Sequence, residues 1–183
     1  MSGRAPRRIL IVDGYNIINA RRSGPGLSSE ALAGERDRLL SELMDYAGYT
    51  AQQVVLVFDA WMSDRTSRTE ERHGSVTLVY TRKGEIADRY IERLCDELSE
   101  DIRLRRVEVR VASSDALEQT IILGRGATRV SARELMMEME HLRAQGIRRV
   151  IQRPSSRRNP IAEHLPEAVR RQLDEMRKGK DSQ

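Results

Sequence analysis

The sequence predicts an α/β fold, a mainly parallel central sheet with helices on both faces, and three observations carry that expectation. Short runs at 9–12, 53–58 and 76–80 are apolar at nearly every position, the pattern of strands buried on both sides. Longer stretches with apolar residues at helical spacing lie between and after them. The 183 residues, 39% hydrophobic and 33% charged, suffice for one domain with a real core and a short appendage, and exclude a multi-domain assembly.

Residues 7–12 read as the first strand, ended abruptly by Asp13-Gly14, which reads as a turn. A long amphipathic helix is expected over 28–49, with Leu32, Leu39, Leu40, Leu43, Met44 and Ala47 at helical spacing and Ser28 or Ser29 as N-cap. Residues 53–58 and 76–80 are the second and third strands, separated by a polar loop carrying Arg65, Arg68, Arg72 and His73. Gly84 breaks the chain before a helix over 85–99, whose Ile91, Leu94, Cys95 and Leu98 form one apolar stripe. Residues 107–111 make a fourth, more alternating strand. The stretch 114–123 opens on an N-cap-like Ser-Ser-Asp, and a helix over 131–145 comes after Gly124-Arg125-Gly126. A short strand over 147–151, a Pro/Ser/Arg loop and a helix over 163–178 complete the chain. The expected division is a domain over 1–146 and a basic C-terminal extension over 147–183, whose helix docks on that domain through Ala162, Leu165, Val169 and Leu173.

Composition narrows the function classes. The net charge is +4, and residues 146–183 hold 10 basic against 5 acidic residues, so the basic excess sits in the tail. Arg supplies nearly all the positive charge and forks onto phosphates bidentately, although an Arg bias equally follows from genomic base composition. The single Cys95 excludes an internal disulfide and any multi-Cys metal site and reads as a core thiol; a reducing cytoplasm is the expected location. The apolar run behind the basic start is only Ile9-Leu10-Ile11-Val12, too short for an export signal, and no run approaches a membrane span. His73, His141 and His164 lack metalloprotease spacing, there is no Gly-x-Ser-x-Gly elbow, and neither glycine-rich turn has the Lys-Ser/Thr of a phosphate loop. Tyr15 stands where aspartyl-phosphate chemistry needs a second acid.

Ligand sites in open α/β sheets lie beyond the carboxyl ends of the strands, near the reversal of strand order. Every expected strand delivers an acid there: Asp13, Asp59, Glu85 with Asp88, and Asp115. Glu85 and Asp88, spaced i,i+3, would share one face of a helix's first turn. Such a cluster repels itself unless cations are present, and all-oxygen donors suit Mg²⁺ or Mn²⁺, which assist phosphodiester hydrolysis. Taken singly, Asp13-Gly14 is equally a turn, Asp59 a cap, Glu85 and Asp88 first-turn acids, and Asp115 an N-cap. The joint pattern at one edge is what points to a site.

Five segments carry a resemblance along nearly the whole chain: Ile11-Val12-Asp13-Gly14-Tyr15-Asn16, Val57-Phe58-Asp59-Ala60, Glu85-Ile86-Ala87-Asp88, Ala112-Ser113-Ser114-Asp115, and Gly126-Ala127 with Ser131-Ala132-Arg133-Glu134-Leu135. In order and spacing they resemble the YacP-like branch of the NYN nucleases, relatives of the PIN domains. The resemblance implies a Rossmann-like PIN/NYN fold, a metal-dependent endoribonuclease site built from those acids, and association with ribosomes and cleavage of translated mRNA.

The site so expected comprises Asp13, Asp59, Asp88 and Asp115 as metal ligands, with Asn16 and Glu85 beside them. Asn16 would orient a carboxylate, a water or the scissile phosphate through its amide, or else serve as a turn residue. RNA phosphates would meet Arg65, Arg68, Arg72, Arg82, Lys83, Arg125, Arg129 and Arg133, each individually a solvated charge. Trp61 would stack on a base or sit in the core, and Arg148, Arg149, Arg153, Arg157 and Arg158 form a second basic segment. The competing readings are a non-cleaving RNA- or ribosome-binding module of the same fold and, further off, a small-molecule phosphohydrolase.

Overall fold

The structure, a computed structural model, describes residues 5–22, 28–60, 67–113 and 126–152, with 147–152 described by their backbone alone. The chain divides into two compact units, Met1–Ala144 and Gln145–Gln183, and every strand of the sheet lies in the first.

Among the described residues the order is β1 (Arg7–Asp13), α1 (Gly14–Ala20), α2 (Ser29–Thr50), β2 (Gln53–Phe58), β3 (Thr69–His73), β4 (Val76–Tyr80), α3 (Ala87–Arg103), β5 (Val107–Ala112), β6 (Thr128–Val130) and α4 (Ala132–Gln152). The strands form one sheet in the order β3-β4-β2-β1-β5-β6. All neighbours are parallel except the edge pair β3·β4. Strand order reverses between β1 and β5, because the chain first builds outward from β1 through β2 and then returns to its other side.

Continuous apolarity of β1 is explained by its two covered faces. Leu10 and Val12 point into a core with Ile17 and Ile18 of α1, Leu39 and Leu43 of α2, and Leu135 of α4. Ile9 and Ile11 point the other way, onto Ile91 and Cys95 of α3 with Val109 and Val111. Each fully buried aliphatic side chain contributes about 1.5–3 kcal/mol, so the two cores hold the strand ends at fixed register. That register aligns Asp13 with Val57 and Phe58 with Tyr80, setting the ends of β1, β2 and β4 side by side.

Several expectations are corrected. Asp13-Gly14 is no turn: Asp13 is the N-cap of α1, and Ile17 and Ile18 bury the helix at once. Residues 69–73, expected as loop, are the edge strand β3; its sequence Thr-Glu-Glu-Arg-His is polar on both faces and carries no apolar alternation. The helix expected from 85 begins at Ala87, leaving Glu85 outside it. The three-residue β6 falls below what periodicity can reveal. Residues 147–151 are helical, because α4 runs through Gly146, a residue that costs a helix about 1 kcal/mol without having to end it. Met44, expected on the apolar face of α2, is exposed. The stretch 114–123, the tail loop and the helix over 163–178 lie outside the described residues.

Candidate active site

Local sequence explains why Asp13 ends up where it does. As N-cap of α1 its Oδ1 accepts the Asn16 amide at 3.0 Å, which fixes the carboxylate at the end of the central strand. The next residue has to be glycine, because a Cβ there would lie 2.2 Å from the ring of Phe58, itself fully buried. Tyr15 packs on that ring with centroids 4.9 Å apart. The Asn16 side chain donates to Ser113 Oγ at 3.2 Å, a bond that joins the start of α1 to the end of β5 across the reversal point. Ser113 is buried, and its own amide donates to Val130 of β6.

Asp59 follows β2 and reaches across to α3. The N-cap position of α3 is Ile86, which offers no side-chain acceptor, and the Asp59 carboxylate takes the Ala87 amide in its place. Asp88, the next residue, lies in the first turn, where the helix dipole favours an anion. The acid of β2 and the acid of α3 are therefore fixed to each other through one backbone amide.

Electrostatics join these three acids. Asp13 is only 8% exposed. Burial pushes its carboxyl up from the ordinary 3.8 to about 6, and repulsion from Asp88 and Asp59 adds to the shift, against hydrogen bonds from the Asn16 and Tyr15 amides. Burial likewise raises Asp59, with repulsion from Asp88 in the same direction and the Ala87 amide opposing.

Glu85 goes elsewhere. Its side chain is 7% exposed and accepts from Arg68 at 2.9 and 3.1 Å and from Arg93 at 2.9 Å. Both guanidinium groups also lie over the Tyr90 ring, at 4.5 and 5.3 Å. Burial alone would raise this carboxyl; the two arginines hold it below its usual value.

The other expected residues are scattered. Arg72 is exposed on β3, Arg82 and Lys83 are exposed before α3, Arg129 is exposed on β6 and Arg133 in the first turn of α4. Arg68 is occupied by Glu85. Trp61, Arg65, Asp115, Arg125, Arg153, Arg157 and Arg158 lie outside the described residues, as do the side chains of Arg148 and Arg149. Thr81, buried and hydrogen-bonded at this edge, had no signal of its own in the sequence, and Ser113 stood in the Ala112-Ser113-Ser114-Asp115 segment without a role assigned to it.

Among the described residues no three His, Cys, Asp or Glu side chains form a ready-made cage for a metal ion. Mg²⁺ keeps several waters and takes one or two carboxylates, so the all-oxygen, mutually repelling set of Asp13, Asp59 and Asp88 fits such an ion in its chemistry. A groove of about 900 Å³ next to the start of α3 is lined by the basic Arg82, Lys83, Arg89 and Arg93, by Ile86, and by the acids Glu85, Glu92 and Asp96. A cleft of about 800 Å³ between α2 and α4, lined by Arg21, Tyr46, Tyr49 and Met139 among others, contains none of the three coupled acids.

Fold and site together define a class: a PIN-like, mainly parallel α/β domain with coupled acids at its switch point. The chain belongs to the YacP-like NYN domain family, whose profile matches residues 10–178. It is 33% identical to the YacP protein of Bacillus subtilis (strain 168) over 171 residues, 93% of this chain and 97% of that one. The crystal structure of Rae1 (YacP) from Bacillus subtilis matches with a TM-score of 0.66 at 33% identity, covering 95% of this chain and 97% of the other. A point-substituted form of the same protein matches with a TM-score of 0.64 at 32% identity, covering 92% and 99%. Membership brings a nuclease-like function directed at RNA.

Proposed function

We propose that this chain is a metal-dependent endoribonuclease that cuts single-stranded RNA, and mRNA on or near the ribosome in particular. The observation that carries the reading is the grouping of Asp13 and Asp59 with Asp88, whose charge repels both, at the carboxyl edge where an α/β sheet binds its ligand. Asp13, Asp59, Asp88 and Asp115 would hold Mg²⁺ or Mn²⁺, which when bound activates water and stabilises the leaving oxygen of a phosphodiester. Asn16, bonded to Ser113, ties the start of α1, just beyond Asp13, to the end of β5. The exposed Arg82, Lys83 and Arg89 would take phosphates flanking the cut, beside the half-exposed Ile86, which offers an apolar surface to a base. Location in the cytoplasm and contact with the ribosome belong to the same proposal and rest on the family resemblance.

The test is purified protein with a mixed RNA pool, with Mn²⁺ or a chelator, and with or without ribosomes. Internal cuts that need the metal support the reading. Tight RNA or ribosome binding with intact RNA in every arm overturns it in favour of a non-cleaving module. Hydrolysis of small phosphate esters with intact RNA would move the substrate to the third class.

A further inference from the structure

Thr81, the first residue after β4, is fully buried and polar, and its hydroxyl is used twice. It accepts the Ala60 amide at 3.1 Å and donates to the Glu85 carbonyl at 2.6 Å, while the Thr81 amide donates to Phe58 O at 3.0 Å. Ala60 follows Asp59, and Glu85 stands two residues before Ala87, whose amide binds Asp59. A closed circuit results: Asp59 to Ala60 along the chain, Ala60 to Thr81 to Glu85 through one hydroxyl, Glu85 to Ala87 along the chain, and Ala87 back to Asp59. Glu85 is also pinned by its side chain on Arg68 and Arg93, and by its amide, which donates to Arg82 O at 3.0 Å. The segment leading to Asp88 is thus tied to the end of β2 through the Thr81 hydroxyl as well as through Asp59.

We propose that Thr81 is a positioning residue, a latch between the end of β2 and the entry to α3 that keeps Asp59 and Asp88 at their working separation. The proposal rests on the nuclease reading for its consequence in catalysis and on the hydrogen bonds alone for the latch. Valine has the same shape, yet it would take from the buried Ala60 amide and the part-buried Glu85 carbonyl the partner each has in the Thr81 hydroxyl, at the cost of two hydrogen bonds. Serine keeps both bonds and loses only a methyl group. The prediction is thus specific to the hydroxyl rather than to packing.

The experiment compares full-length wild type, Thr81→Val and Thr81→Ser by two readouts. The first is amide hydrogen exchange, residue by residue, without metal. Thr81→Val should speed exchange at Ala60 and Ala87 by about 10-fold or more relative to Leu10 and Val109 in the sheet centre, and Thr81→Ser should leave them protected. The second is RNA cleavage with Mn²⁺, where Thr81→Val should lower kcat about 10- to 100-fold, as loss of a group supporting metal ligands does, with KM within about threefold. Thr81→Ser should recover most of kcat. Equal exchange at Ala60 and Ala87 in all three proteins, a uniform rise across the sheet, or a serine variant as impaired as valine overturns the latch. If wild type cuts no RNA, the nuclease reading fails, and exchange still decides the latch. Should Thr81→Val not fold, Thr81→Cys, of similar volume and with a weak donor, is compared in its place.

Discussion

Asp13 and Glu85 are both shielded acids at the carboxyl edge of one sheet, and their surroundings treat their charge in opposite ways. Glu85 is met by two guanidinium groups and held below its ordinary pKa. Asp13 is buried, accepts from backbone amides and is repelled by Asp88 and Asp59, and is pushed up to about 6. A compensated carboxylate stabilises the fold; one left facing other carboxylates costs stability and gains an attraction for an external cation. The chain thus gives up stability at Asp13 and Asp59, and recovers some at Glu85 on the same edge.

The largest effect expected from this contrast is on catalysis. Asp88→Asn and Asp59→Asn should each reduce RNA cleavage by about 100-fold or more, with native circular dichroism and a melting transition no lower than that of wild type. Cleavage at the wild-type rate by either protein would remove the acid group from the mechanism.

Gly14→Ala should break both halves of the Asp13 arrangement at once. The added methyl collides with the buried Phe58 ring, so the start of α1 or the ring must move, at about 2–3 kcal/mol. Stability and activity should fall together, unlike in the aspartate variants, and thermal unfolding with an RNA assay separates the cases.

Glu85→Gln should cost about 2 kcal/mol, between exposed and fully buried ion pairs, since Arg68 and Arg93 are partly exposed. Its sign against pH is fixed by the depressed carboxyl. The stability Glu85 contributes is present above the ordinary 4.5 and is lost as pH falls through the lower folded value, so the variant's deficit should be full at pH 7 and fade in acid. Denaturant unfolding at several pH values measures it.

The smallest effect belongs to the groove. Replacing Arg82, Lys83 and Arg89 together with alanine should weaken single-stranded RNA binding and flatten its log–log salt slope by up to about 2, at roughly 0.7 per phosphate released. Melting should be unchanged, because all three are exposed. An unchanged slope would make them solvated surface only.

How much of this the sequence disclosed depends on the range of each interaction. Strands β1, β2, β4 and β5 were legible because burial on two faces imposes apolar runs, and the acids after β1 and β2 followed from where those runs stop. Glu85 turned away from the site because the i,i+3 spacing to Asp88 assumes a helix that starts at 85, whereas its partners Arg68 and Arg93 stand 17 and 8 residues away. The bond from Asn16 to Ser113 spans 97 residues, and Thr81 acts through backbone atoms of two loops, so neither leaves a pattern in the chain. Strand β3 was hidden by having no buried face.

The most direct test is Asp13→Asn, measured for stability and for cleavage in the same preparation. The acid's folded pKa is raised, so the stability held by its protonated form is full below about 3.8 and is lost as pH rises through about 6. Asparagine keeps the N-cap acceptor and never ionises. Without metal the variant should therefore match wild type near pH 4 and exceed it above pH 6, by about 3 kcal/mol at most, while losing cleavage about 100-fold or more. A variant that is destabilised at neutral pH, or that still cuts RNA at the wild-type rate, would contradict the claim that Asp13 is a strained acid kept for its chemistry.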